Sequence, residues 1–184
     1  MEPVNTLLYP LDAFYRAAGK PLPQARPVEG PEMPQPYRGL LVHDRDMTPT
    51  LERFHGERIS LRLLERRLEG DALMRQVVLV TGDSGRAVEY GAIVIHCDQF
   101  PEAARPLILE SRCPLGTILA IHQIEHGSCP SGFFAVEPNP EIAAALGLFE
   151  PATLYGRRNV LSRPDGAALA EVLEILPPLP AAED

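Results

Sequence analysis

The stretch from Leu73 to Ile95 reads as strand, tight turn and strand. In the first half, Leu73, Arg75, Val77 and Leu79 share one face of a strand, so an arginine stands in an apolar row. Gly82-Asp83-Ser84-Gly85 supplies a turn, and Val88 to Ile95 returns as a second apolar segment with Gly91 at its centre. The pattern predicts a hairpin with Arg75 pointing inward. An unpaired buried charge costs several kcal/mol, so such an arginine needs an anion, either a structural carboxylate or a ligand.

Around this hairpin the same reading predicts an amphipathic helix over residues 5–18, then an extended connection from Pro21 to Pro36 carrying six prolines. Thr48 as cap, Pro49 as first helical residue and Gly56 past the end predict a two-turn helix. Ile59, Leu61 and Leu63 alternate with Arg58, Ser60 and Arg62, which predicts a half-buried strand. A short helix is expected from Asp98, followed by loop to Cys113, a strand over Thr117 to Ile121 behind the Pro114-Leu115-Gly116 turn, and loop over Gly127 to Gly132. Asn139-Pro140-Glu141 to Gly147 carries the start and stop signals of another helix. Tyr155 to Ser162 and Ala168 to Leu176 are the last strands, joined by Arg163-Pro164-Asp165-Gly166. The fold class expected is α+β, an antiparallel sheet of about six strands with short helices packed on one face.

A chain of 184 residues with 45% hydrophobic content suits one domain: a helical and Pro-rich extension over 1–39, a core over 40–177 and a frayed tail over 178–184. No apolar run has transmembrane length and no signal peptide is evident, so a cytoplasmic location is expected. Cys97, Cys113 and Cys129 lack paired spacing and are read as free thiols. A net charge of −8 argues against nucleic-acid and anionic-membrane partners and leaves a small molecule as the expected one. Of the 17 basic residues only Lys20 is lysine; arginine is the better bidentate partner for carboxylates.

His122-Gln123-Ile124-Glu125-His126, with Cys129 nearby, matches the ligand spacing of one class of zinc peptidase. That pattern needs a helix, whereas these residues fall in or after an expected strand, so no metal is assigned. Phosphate loops and the Gly-x-Ser-x-Gly elbow are absent. An anion-binding constellation remains: inward Arg75, the turn at Leu115-Gly116, the pair Arg157-Arg158 and an acid in the last strand.

Asp46-Met47-Thr48, Met74-Arg75-Gln76-Val77-Val78-Leu79, Tyr90-Gly91-Ala92-Ile93-Val94-Ile95, Pro114-Leu115-Gly116, Tyr155-Gly156-Arg157-Arg158 and Leu173-Glu174-Ile175-Leu176-Pro177 occur in one order across roughly residues 40–177. This series resembles the chorismate lyase family, in particular its divergent bacterial branch. The resemblance implies a chorismate lyase-like antiparallel sheet and a carbon–oxygen lyase that cleaves chorismate to 4-hydroxybenzoate and pyruvate without a cofactor. It casts Arg75 as the clamp on the ring carboxylate and Glu174 as the acid at the ring hydroxyl, both catalytic. Met47 and Thr48 would form a flap; Leu115 and Gly116 would offer a backbone amide; Arg157 or Arg158 would either hold the second carboxylate or be structural. Ala92 stands where better-known members carry arginine, Thr117 where a bulkier basic residue is common, and Glu171 rivals Glu174 as the pocket acid. The alternative function is a non-catalytic, sensor-type domain of the same fold that binds a small aromatic carboxylate.

Overall fold

The computed structural model describes residues 6–180. Seven antiparallel strands form one sheet: β1 (Gln24–Pro27), β2 (Ile59–Glu69), β3 (Ala72–Thr81), β4 (Ala87–His96), β5 (Gly127–Glu137), β6 (Leu154–Ser162) and β7 (Ala168–Leu176). Their spatial order is β1-β5-β6-β7-β4-β3-β2, so the last strand lies near the middle. Six α-helices accompany them: α1 (Leu11–Ala17), α2 (Tyr37–Leu41), α3 (Met47–His55), α4 (Arg105–Glu110), α5 (Leu115–Ile121) and α6 (Pro140–Leu146). This is the α+β architecture with an antiparallel sheet that was expected, with seven strands in place of about six. None of the helices is long and apolar enough to cross a membrane.

The central hairpin is β3 and β4, and its register places Arg75 opposite Ile93. The turn is held from outside, because the Glu57 carboxylate accepts from the amides of Asp83 (3.2 Å) and Ser84 (3.1 Å). Both faces of β3 are covered. Met74 and Val78 pack with Leu11 and Phe14 of α1 and Ile142 of α6, whereas Leu73 and Leu79 face clusters that include α5 and α3. Helices thus cover the second face of the sheet as well, which accounts for the near-continuous apolar character of the central strands.

Several elements differ from the sequence reading. The first helix covers Leu11–Ala17, preceded by a 3-10 turn at Thr6–Leu8, and Asn5 lies outside the described residues, as do 181–184 of the tail. Within the proline-rich connection, Gln24–Pro27 forms a seventh strand on the far edge of β5. An edge position tolerates Pro27 because no ladder partner waits for its missing N–H. α3 begins one residue ahead of Thr48, with Asp46 at the cap and its carbonyl accepting from Thr50 Oγ1 at 2.8 Å; Pro49 fits the first turn, where amides have no intrahelical partner. Gly56 ends this helix in the left-handed region at φ 69°.

Leu115–Ile121 is a helix, not a strand. Leu115, Ile118 and Leu119 are its buried residues, at the i, i+3, i+4 spacing that fixes one helical face. Gly127–Gly132 is the first half of β5 and not loop. It passes through an irregularity between Pro130 and Gly132, on a stretch whose outer side β1 does not cover. α2 and α4 were also not foreseen. By contrast α6 follows its signals closely: Asn139 Oδ1 accepts from the Ile142 amide at 3.0 Å and Gly147 closes the helix at φ 69°.

Candidate functional site

The sheet register builds a floor of three cross-strand rows beneath α3 and α5. One row runs Asn159, Val172, Ile93, Arg75; the next Arg157, Glu174, Gly91, Val77; the third contains Glu89 beside Leu79. Gly91 carries no side chain, so the centre of the floor is bare. A Cβ there would lie 3.3 Å from both Glu89 Oε1 and Val77 Cγ2. Above this floor is a cavity of about 70 Å³, lined by Arg75, Glu89, Glu174, Asp46 and Thr48 among polar residues and by Leu61, Val77, Ile93, Leu115 and Leu161 among apolar ones. At roughly 10–15 Å³ per water, such a space matches a single small ring and not a nucleotide.

Arg75 is 1% exposed. Its Nη2 donates one long bond, 3.4 Å, to the Cys113 carbonyl, while Nε and Nη1 are buried without a hydrogen-bond partner. No carboxylate pairs with it among the described residues. Burial pushes its pKa down to about 10, against a smaller opposite pull from Cys113 and Cys97, so it stays cationic at neutral pH. The inward placement read from the sequence is therefore met without the structural carboxylate that was its rival explanation.

Met47, Thr48, Leu115 and Gly116 all border the same cavity. Gly116 is needed for close approach: a Cβ on it would lie 2.9 Å from Thr48 Oγ1, which lets α5 seat against α3. Arg157 and Arg158 separate. Arg157 is wholly buried at the cavity's side; its Nε donates to Glu174 Oε2, and its other nitrogens donate to the carbonyls of Leu41 (3.2 Å), His43 (2.9 Å) and Arg45 (3.1 Å). Arg158 alternates to the opposite face, where its guanidinium lies over the Tyr9 ring at 5.7 Å, so it is not a cavity residue. Glu174 borders the cavity, whereas Glu171 lies on the opposite face 3.8 Å from His96 Nε2, which decides between the two acids by position. The side chain of Ala92 also packs into the opposite core.

Sequence reasoning missed Glu89. It is 4% exposed, its Oε2 is buried without a partner, and it borders the cavity. Burial first, then the neighbouring Glu174, raise its pKa well above its ordinary value, with Arg157 pulling the other way. The signal was available, since period-2 alternation puts Glu89 on the same face as Gly91 and Ile93. The histidine motif also resolves differently from its zinc reading. His122 caps the end of α5, while His126 Nδ1 donates to the Ile124 carbonyl at 2.8 Å and Nε2 donates to the Asp46 carboxylate at 2.9 Å and 3.0 Å. His126 is a latch on the segment that borders the cavity.

No protein-family model matches the chain, and no curated protein does. Among solved structures it is similar to PhnF from Mycobacterium smegmatis, with a TM-score of 0.57 and 14% identity over 76% of this chain and 68% of that one. The effector domain of that protein, solved by itself, gives a TM-score of 0.54 and 14% identity over 76% of this chain and 94% of that one. The chain has the fold of that effector domain. The ligand-binding domain of a putative GntR-family transcriptional regulator from Bordetella bronchiseptica aligns with a TM-score of 0.47 and 16% identity over 65% of this chain and 84% of that one. These likenesses are of fold.

The fold does not carry the lyase expectation. The solved domain that shares this fold, aligned over 94% of its length and 76% of this chain, is an effector domain of PhnF. The chorismate, 4-hydroxybenzoate and pyruvate assignments fall with it, and the catalytic roles given to Arg75 and Glu174 rested on that same resemblance.

Proposed function

We propose that this chain is a non-catalytic small-molecule-binding domain whose cavity takes a small aromatic carboxylate. One observation carries the reading: Arg75 is buried, cationic and short of partners, and it opens on a ring-sized cavity with apolar walls. A native protein keeps a buried guanidinium with unmade hydrogen bonds only at a cost of several kcal/mol, and a bound carboxylate removes that cost through charge-assisted bonds. Leu61, Val77, Ile93 and Leu161 suit a ring face. Met47 and Thr48 on α3 and Leu115 and Gly116 on α5 close over it, while Arg157 acts from the side by fixing Glu174.

Titration calorimetry with benzoate tests this. Saturable binding is expected, weakened at least tenfold in Arg75→Gln with the fold retained by circular dichroism. Absence of binding at millimolar benzoate, or affinity unchanged by the substitution, refutes the reading.

A further inference from the structure

The charged groups around the cavity pair off with a remainder. Arg157 is matched by Glu174 and His126 by Asp46, which leaves Arg75 and Glu89. These two do not neutralise each other. Arg75 stands opposite Ile93, four residues along β4 from Glu89, so their backbone positions are about 13 Å apart along the strand direction at the rise of a strand. Glu89 lies instead next to Glu174, out of contact with water and with no cation of its own. A carboxyl in that position keeps its proton, and its O–H is a donor. Its unpartnered Oε2 and the unpartnered Nε and Nη1 of Arg75 are therefore orphans of one cavity, set at its two ends with bare Gly91 between them.

We propose that Glu89 determines specificity as a protonated donor, so that the ligand is a monoanion with its carboxylate at Arg75 and a neutral oxygen acceptor at the opposite end. This rests on the carboxylate reading above and sharpens it. One ring with the two groups in para positions presents a carboxylate and an acceptor in opposite directions, as two donors set apart along the strand direction require. The charge count selects the monoanion: one negative charge neutralises Arg75, whereas a second would lie against the Glu174 carboxylate without a counter-ion.

The test compares 4-methoxybenzoate, 4-ethylbenzoate and terephthalate by calorimetry on the wild type, Glu89→Gln and Glu89→Leu. The methoxy and ethyl ligands differ by one oxygen in place of a methylene. The wild type is expected to prefer methoxy by about threefold to tenfold, the range of one net hydrogen bond, and to bind terephthalate least well. Glu89→Gln is neutral and still a donor, so it keeps the methoxy preference; Glu89→Leu brings the ratio to about one. Equal affinities in the wild type, or a preference that disappears in Glu89→Gln, overturn the assignment to Glu89 while leaving the carboxylate site standing. If none of the three ligands binds, or Arg75→Gln affects none of them, it is the carboxylate reading that fails.

Discussion

Two arginines lie buried on the same face of one sheet, and they are treated in opposite ways. Arg157 on β6 has a carboxylate and three backbone carbonyls around its guanidinium. Arg75 on β3 is as deeply buried and has one long bond. Burial alone therefore does not say what a charge is for. A satisfied arginine stitches structure together, and an unsatisfied one facing a cavity is held ready for something that the chain itself does not supply.

The largest way to break this contrast is Arg157→Met. It strands Glu174 and frees the Leu41, His43 and Arg45 carbonyls, and about 3–5 kcal/mol of stability should be lost in urea unfolding. Adding Glu174→Leu should recover much of that loss, because a buried pair replaced as a unit leaves no unmatched charge. A double variant as unstable as the single one would show that the carbonyl contacts, and not the ion pair, dominate.

Arg75→Met should do the reverse and stabilise the unliganded protein by roughly 1–3 kcal/mol while removing benzoate binding. The sign follows from its lowered pKa. Folding disfavours the charged form, so the cost is present in full at every pH below about 10, fades as pH rises from there toward the unfolded-state value, and is gone above it. A midpoint that falls in this variant would mean that Arg75 is paired structurally after all.

The smallest effect concerns the latch beside Arg157's carbonyl partners. Burial lowers the His126 pKa, but hydrogen bonds to the Ile124 carbonyl and Asp46 outweigh it and leave a net rise. A raised histidine contributes its stability fully below the unfolded value near 6.5 and loses it as pH climbs through the folded value. After solvent screening the contribution is at most about 1 kcal/mol. The difference in midpoint between wild type and His126→Gln should thus shrink from pH 6 to pH 8.5; a constant difference would assign His126 a packing role only.

Much of this contrast was legible in the chain. Period-2 alternation turned Arg75 inward, and cap and stop residues located α6 and the end of α3, because these signals act within a few residues. What was hidden depends on distant partners. The apolar run Leu115–Ile121 fits a strand or a helix until something packs on it, and contact of Gly116 with Thr48 settles the matter. Gln24–Pro27 becomes a strand only because β5 offers an edge. Arg157 and Arg158 look equivalent in sequence, yet adjacent positions on a strand face opposite ways, and only the register against β7 says which one meets Glu174.

The sheet order has a consequence for how the cavity comes into being. β2, β3 and β4 form one contiguous group and β1, β5 and β6 another, and β7 alone hydrogen-bonds to both. Arg75 and Glu89 belong to the first group and Arg157 to the second, so the cavity is complete only when β7 is seated between them. A chain cut before Ala168 keeps both orphan donors on one hairpin but loses Val172 and Glu174 from the cavity wall and, among the described residues, the only strand that joins that hairpin to Asn159 and Leu161.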